Sequence, residues 1–442
     1  MITWPVLLTM LPFGWLGSSA ADEQWPQFRG AESTGVVADG ANLPASWSAT
    51  ENVAWKTDIP GRGWSSPVVW DDNVFITTVI NTGESEEPKK GLYFGGNRVK
   101  PPESEHHWEV QCLDLQSGSL RWSRQVHQGV PQTSIHLKNS FASETPVTDG
   151  EHLYVVFGGV GIYCLNFAGD VVWKRDLQPL KTRFGWGFAA SPVLHGDRLY
   201  FVNDNDEQSY LVALDKRTGE EIWKVDRDEK SNWATPYIWQ HDTRTEIVVP
   251  ATGRVVSYDT EGRELWSLQG MSSITIATPY EYDGLLYITS GYVGDPVRPI
   301  YAIRPGASGD ISLSDDQTAN DSIAWSLPDS APYNPSTIAA DGIVYVLYDR
   351  GLLGAFDAKD GSEVYRRQRL PGGAFTSSPW IYDNKLFCLN EDGTTYVIKT
   401  GREFELLGTN ELAADDMGMA TPAIVGDRLL IRTAARIYCF QK

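Results

Sequence analysis

Residues 191–223 read SPVLHGDRLYFVNDNDEQSYLVALDKRTGEEIW, and the fold follows from them. The stretch opens with Ser191-Pro192 and an apolar pair and turns at His195-Gly196-Asp197. It then runs from Arg198 to Val202, runs again from Tyr210 to Asp215, and ends on Gly219 and Trp223. Short β-branched and aromatic runs between Gly, Asn and Asp turns are the pattern of strands, so the stretch predicts a four-stranded antiparallel unit.

The same order recurs along the chain. Ser-Pro or Thr-Pro stands at Ser66-Pro67, Thr145-Pro146, Thr235-Pro236, Thr278-Pro279, Ser378-Pro379 and Thr421-Pro422. Pro236 and Pro279 lie 43 residues apart, as do Pro379 and Pro422. An eighth copy at Ser336-Thr337-Ile338 fills the wide gap, with Pro335 moved ahead of its Ser. The pairs Asp149-Gly150, Asp283-Gly284 and Asp341-Gly342 suit tight hairpins, because both residue types tolerate positive φ. The third strand of a unit ends in Asp and then Gly, as at Asp114 with Gly118, Asp215 with Gly219 and Asp357 with Gly361. Four residues later comes a large ring: Trp122, Trp173, Trp223, Trp266 and, in the sixth copy, Tyr365. Trp325 and Trp55 complete the set of structural tryptophans expected at the seams between units.

A period in the low forties with four strands per unit implies propeller blades, since each small sheet can bury its faces only against its neighbours. The Trp follows Asp-x-x-x-Gly rather than closing a Trp-Asp pair, which separates the pattern from the WD type. The last copy stops at Phe440, one strand short, and Asn52-Val53-Ala54-Trp55-Lys56 matches the missing strand. The expectation is an all-β chain: one eight-bladed β-propeller of four-stranded antiparallel blades over 22–442, its last blade closed by an N-terminal strand. An insertion over 79–108 sits in the first blade. Closure leaves no long sheet edge open to other chains.

Apolar residues at 41% and aromatic residues at 12% provide a core, and 21% charged residues are too few for a disordered chain. The net charge of −20 repels nucleic acid and anionic headgroups, which excludes them as partners. The first twenty residues carry no charged side chain and end in Ser18-Ser19-Ala20-Ala21, the pattern of a cleaved signal peptide over 1–21. The apolar run is broken by Pro5, Pro12 and Gly14, so no membrane span is expected once the signal is removed.

Ser/Thr-Pro followed by Ala-Leu-Asp-x-x-x-Gly-x-x-x-Trp resembles the pyrroloquinoline-quinone-type repeat, and the resemblance runs from Trp25 to Phe440. The entry Trp25-Pro26-Gln27-Phe28-Arg29-Gly30, with Gly63-Trp64-Ser65-Ser66-Pro67, is similar to a secreted bacterial subgroup. The family holds both quinone-dependent dehydrogenases and cofactor-free scaffolds of the BamB kind. The dehydrogenase branch implies a vicinal Cys-Cys disulfide, a Ca²⁺ on carboxylate and amide oxygens, and an Asp base. Adjacent cysteines are absent from this sequence.

Candidate chemistry is sparse. Asn203-Asp204-Asn205-Asp206 offers oxygens for Ca²⁺ but falls in the turn between two strands, where a solvated turn is expected. Cys112, Cys164 and Cys439 share a slot that other copies fill with Ala213, Ser257, Ala302 and Ala355, which predicts small, buried free thiols rather than a redox pair. His106-His107 point to opposite faces of a strand and are awkward joint ligands, so a surface loop is the default. No nucleophile elbow, phosphate loop or zinc-protease motif occurs.

Segments entering the innermost strands converge on one mouth of the central channel and are rich in rings. They place Arg62, Trp64, Phe141, Arg183, Trp186, Asn232, Trp233, Tyr333 and Phe375 there, either as a plug or as a ligand site. The leading expectation is an exported, periplasmic or secreted, monomeric scaffold that binds a protein or an envelope polymer, with no cofactor and no metal. The alternatives are a quinone (PQQ) and Ca²⁺ oxidoreductase and a carbohydrate-binding propeller.

Overall fold

The structure is a computed structural model that describes residues 24–38, 40–84, 88–92, 100–314 and 316–442; the expected signal segment lies outside the described residues. Eight antiparallel sheets follow one another along the chain. Blade 1 runs from Val68–Trp70 to Leu120–Gly129, blade 2 from Val147–Thr148 to Val171–Asp176, blade 3 from Val193–His195 to Glu221–Arg227, and blade 4 from Tyr237–His241 to Glu264–Gln269. Blade 5 runs from Tyr280–Tyr282 to Ile323–Leu327, blade 6 from Ile338–Ala340 to Glu363–Arg369, and blade 7 from Trp380–Tyr382 to Leu406–Glu411. Blade 8 takes Ala423–Val425, Arg428–Arg432 and Arg436–Phe440 from the C-terminal end and Val53–Asp58 from the N-terminal part. Trp55 pairs with Cys439 across that junction, so the ring closes as the repeat predicts. Blade 4 gains a fifth strand, because Gly309–Asp310, from a long excursion in blade 5, lies parallel to its outer edge.

Three repeated devices explain why each motif residue recurs. First, Asp Oδ1 accepts two backbone N–H groups in the third turn: from Gln116 and Ser117 at Asp114, 3.1 and 2.8 Å, and from Arg217 and Thr218 at Asp215, both 2.9 Å. Second, the outer-strand Trp reaches into the next blade. Its indole N–H donates to the carbonyl one residue past that blade's turn Asp or Asn: Trp122 to Phe167, Trp173 to Lys216, Trp223 to Thr260, Trp325 to Ala358 and Trp55 to Leu115, all at 2.8–2.9 Å. The ring lies flat on the turn glycine. A Cβ at Gly169 would meet the Trp122 ring at 2.8 Å, and the glycine itself holds φ +86, which side chains rarely adopt. Residues directly across the strand pair from these rings are small, which is why Cys112, Cys164 and Cys439 share one slot. All four cysteines are free and buried, as expected of the first three.

Third, the Ser or Thr that opens the inner strand laces neighbouring blades around the axis at six of the eight junctions. The backbone N–H of Ser66 donates to Thr145 Oγ1, that of Thr145 to Ser191 Oγ, that of Ser191 to Thr235 Oγ1, that of Thr278 to Ser336 Oγ, that of Ser336 to Ser378 Oγ and that of Ser378 to Thr421 Oγ1, at 2.9–3.1 Å. Except after Ser336, the next residue is Pro, which has no N–H to leave unpaired as the chain enters the inner strand.

Two seams depart from the repeat. Trp266 is fully buried within its own blade, where its N–H, Ser257 Oγ, His241 Nε2 and Arg244 Nε all meet the Glu246 carboxylate at 2.6–2.9 Å. In blade 7 the ring position is Gly408, opposite Val397. There the N-terminal arm supplies Trp47, which packs on Phe387 and Phe440 with centroids 5.8 and 5.4 Å away.

Strands alternate in direction, so the first hairpins of all blades share one face of the disc. The segment from Gln24 to Gly40 crosses that face: Gln24 bonds Asp71, Pro26 accepts from Thr148, and Gly40 donates to Asp383. Arg29, fully buried, donates to the carbonyls of Thr34 and Thr337 at 2.6 and 2.9 Å. At the ring junction Arg432 is likewise buried and clasps Ser65 and Thr77 carbonyls of blade 1 at 3.0 and 2.7 Å, while burial pushes its pKa down to about 9.

Two expectations are corrected. Asn203-Asp204-Asn205-Asp206 does join two strands, but it is not a solvated turn. Asn203, Asp204 and Asn205 are buried, Asp204 forms a two-pronged ion pair with the equally buried Arg227 at 2.9 and 3.0 Å, and Asn205 caps the loop through Glu207 and Gln208 N–H groups. The insertion in blade 1 is also shorter than 79–108. Val79, Ile80 and Asn81 pair with Trp108, His107 and His106, so both ends are strand. His106 is buried against Phe141 rather than looped out, while His107 faces the other way and stays partly exposed. Among the described residues no helix is long and apolar enough to cross a membrane.

Candidate functional site

The Ser or Thr residues that open the inner strands of all eight blades line one axial cavity of about 550 Å³, with Phe28 of the crossing segment in its wall. Since that segment lies on the first-hairpin face, the cavity is stopped there and reached from the opposite face.

Four of the nine residues read from the sequence meet on this cavity: Trp64, Trp186, Trp233 and Tyr333. Trp64 donates its indole N–H to Lys138 O at 2.8 Å and Trp233 to Gly187 O at 2.7 Å, and both are buried. Trp186 is partly exposed and lies 5.9 Å from Trp233 and 5.1 Å from His136, centroid to centroid. Tyr333 tilts against Tyr292 at 5.3 Å. These rings are both packing and wall, and Trp186 and Tyr333 keep exposed surface.

The other five lie elsewhere. Arg62 and Phe141 line a second cavity of about 830 Å³ beside the blade 1 insertion, which also takes in Asp415 and Arg436. Arg183 donates to the Ser273 carbonyl at 3.2 Å and lies over the Phe184 ring. Asn232 is buried as a loop brace, giving its amide to Pro250 O at 2.6 Å and accepting from Ala234 N–H at 3.0 Å. Phe375 is fully buried in the core between blades 6 and 7, tilted on Tyr396. Proximity to an inner strand placed these residues near the mouth, but Asn232 and Phe375 turn into a loop and a blade core, Arg62 and Phe141 face the second cavity, and Arg183 reaches across to Ser273.

Charged groups around the mouth went unread because nothing in the repeat marks them. Lys138, between blades 1 and 2, forms an ion pair with Glu391 of blade 7, whose carboxylate has no exposed surface. Glu391 also accepts from Thr376 Oγ1 at 2.6 Å and from the N–H of Gly91 in the insertion at 2.7 Å. Asp349 is buried and accepts from the Tyr333 and Asn334 N–H groups at 2.8 and 2.9 Å; desolvation raises its pKa against those bonds. Phe184 stands on the rim, 47% exposed, with φ +55, a conformation in which a bulky side chain is strained.

Glu144, one residue before Thr145, is buried, and desolvation pushes its pKa up to about 7 although it accepts from Gly158 N–H at 2.9 Å. A carboxyl whose folded pKa is raised favours folding while it stays protonated, and that contribution is lost as pH climbs from its ordinary 4.5 to about 7. The stability of Glu144→Gln relative to the parent is therefore expected to rise over that window and level off above it. Urea midpoints at a series of pH values check this; a flat difference would show that the carboxyl is ionised throughout.

The cavity wall holds one carboxylate, Asp349, already engaged by backbone N–H groups, and the cysteines sit singly in blades 1, 2, 7 and 8. Among the described residues no three His, Cys, Asp or Glu side chains gather at one point. This donor set does not match a quinone backed by a disulfide and Ca²⁺.

The family described as outer membrane protein assembly factor BamB matches residues 106–269 and 308–440. The assembly factor BamB of Yersinia pestis is 23% identical over 194 residues, covering 39% of this chain and 45% of that protein. The chain thus spans about half the length of the curated relatives it matches. Among solved structures, BamB from Moraxella catarrhalis superposes with a TM-score of 0.55 at 12% identity, over 82% of this chain and 100% of that one. A europium-containing methanol dehydrogenase superposes with a TM-score of 0.58 at 10% identity, over 96% and 99%. Likeness at such identities shows the shared propeller and nothing about chemistry.

Proposed function

This chain belongs to the family described as outer membrane protein assembly factor BamB, and from that premise we propose that it is a non-catalytic, cofactor-free scaffold that binds protein on the periplasmic side of the envelope. The observation that carries the reading is Phe184. A bulky residue is held at positive φ and its ring, although it touches Trp186 and Arg183, is left 47% exposed beside the cavity mouth, a strained arrangement. Val293 and Val297 add exposed apolar surface on the same rim, which the Arg183 bond to Ser273 ties to the Phe184 loop. Exposed rings and aliphatic groups rimmed by polar residues suit a protein contact.

The test is loss of the gene in the source organism, read by the amount of heat-modifiable outer-membrane protein. Reduced assembly, restored by the parent chain but not by Phe184→Asp, supports the reading. Unchanged assembly on loss, or full rescue by Phe184→Asp, removes it. Phe184 is exposed, so the substitution leaves the propeller folded, which a melt verifies.

A further inference from the structure

We infer that the axial cavity is a binding site for a neutral saccharide, separate from the protein contact on the rim. The argument starts with the eight hydroxyls that open the inner strands, six of them laced. A Ser or Thr hydroxyl has one O–H to give and two lone pairs. Six of the eight spend one lone pair on the neighbouring blade's N–H, and among the described residues none of these six gives its proton to a protein acceptor. Ser66 Oγ is buried in the same wall with no partner at all. Each laced group therefore keeps one donor and one lone pair without a protein partner among the described residues.

That balance selects the ligand. An anion would need donors alone and a cation acceptors alone, whereas a polyol is both at every hydroxyl. Most charged groups around the shaft are engaged: Lys138 pairs with Glu391 and Arg298 with Asp329, Asp349 accepts the N–H groups of Tyr333 and Asn334, and Arg367 lies over the Tyr348 ring; Arg350 also stands in the wall. Trp186 supplies the apolar ring face on which the C–H side of a sugar packs. A volume of about 550 Å³ stopped by Phe28 at one end fits the end of an oligosaccharide rather than a chain threaded through.

The test uses cellobiose, maltotriose and N,N′-diacetylchitobiose, with citrate as an anionic control, titrated by calorimetry and tryptophan fluorescence. Saturable binding of at least one sugar is expected, with no binding of citrate. Trp186→Ala should weaken it at least about tenfold. Ala189→Trp, which puts a ring into the shaft from its own wall, should abolish it. Neither variant touches the lacing bonds, and thermal melts check that both stay folded; should Ala189→Trp fail to fold, Trp186→Ala alone decides. Failure of all three sugars to saturate at about 10 mM, a Kd limit that corresponds to negligible affinity, overturns the inference. So does citrate binding in their place, or sugar affinity unchanged in Trp186→Ala. Val297→Asp, a rim substitution outside the cavity wall, should leave sugar affinity intact, which keeps this outcome apart from that of the protein contact.

Discussion

Trp55→Ala is expected to lower the unfolding free energy by about 3–5 kcal/mol, the usual cost of emptying an aromatic core position. Trp55 is the seam residue of the one blade built from both ends of the chain. It is 8% exposed, bonds the Leu115 carbonyl of blade 1 at 2.8 Å and lies on Gly118. The substitution empties that pocket and leaves the carbonyl without its donor. Denaturant melts of Trp55→Ala beside Trp186→Ala make the comparison, since Trp186 is partly exposed and should cost less. A loss under about 1 kcal/mol at Trp55, the range of an ordinary surface change, would mean that the closing seam contributes little.

Asp204→Ala should be of similar size, about 3–5 kcal/mol, because it strands a buried guanidinium. Neither partner of the Asp204–Arg227 pair has exposed side-chain surface, and Arg227 keeps only the Tyr258 hydroxyl at 2.7 Å once the carboxylate is gone. Replacing both partners, as Asp204→Leu with Arg227→Met, should recover much of the loss, since apolar groups of like volume do not need each other's charge. Equal losses in the single and double variants would locate the effect in packing. A negligible loss in Asp204→Ala would show that water reaches the site.

The fold was legible because the strand and turn signals recur in all eight copies and the ring in seven, so that any one ambiguous copy is fixed by its register with the others. The Trp on the next blade's glycine, the small residue across from it and the closing strand at Trp55 all follow from that register. What the repeat does not cover was harder to read. Asn203-Asp204-Asn205-Asp206 has turn composition, and nothing local announces that Arg227, 23 residues on, folds back to bury it. The same holds for Lys138 and Glu391, 253 residues apart, and for Trp47 standing in for the ring missing at Gly408. At the mouth, Trp64, Trp186, Trp233 and Tyr333 were placed together correctly by topology. Asn232 and Phe375 were not, because position in a connection does not say which way a side chain turns.

Blade 8 sets a timetable as well as a shape. Val53–Asp58 waits for Arg436–Phe440, nearly the whole length of the polypeptide later, and pairing across so long a loop is slow. While the tail is still being made, the Val53–Asp58 segment has no mate and the first blade has no neighbour on one side. The nascent protein therefore passes through an open-ended stage with bare strand edges, vulnerable to proteolysis and self-association, that ends when the final few residues arrive.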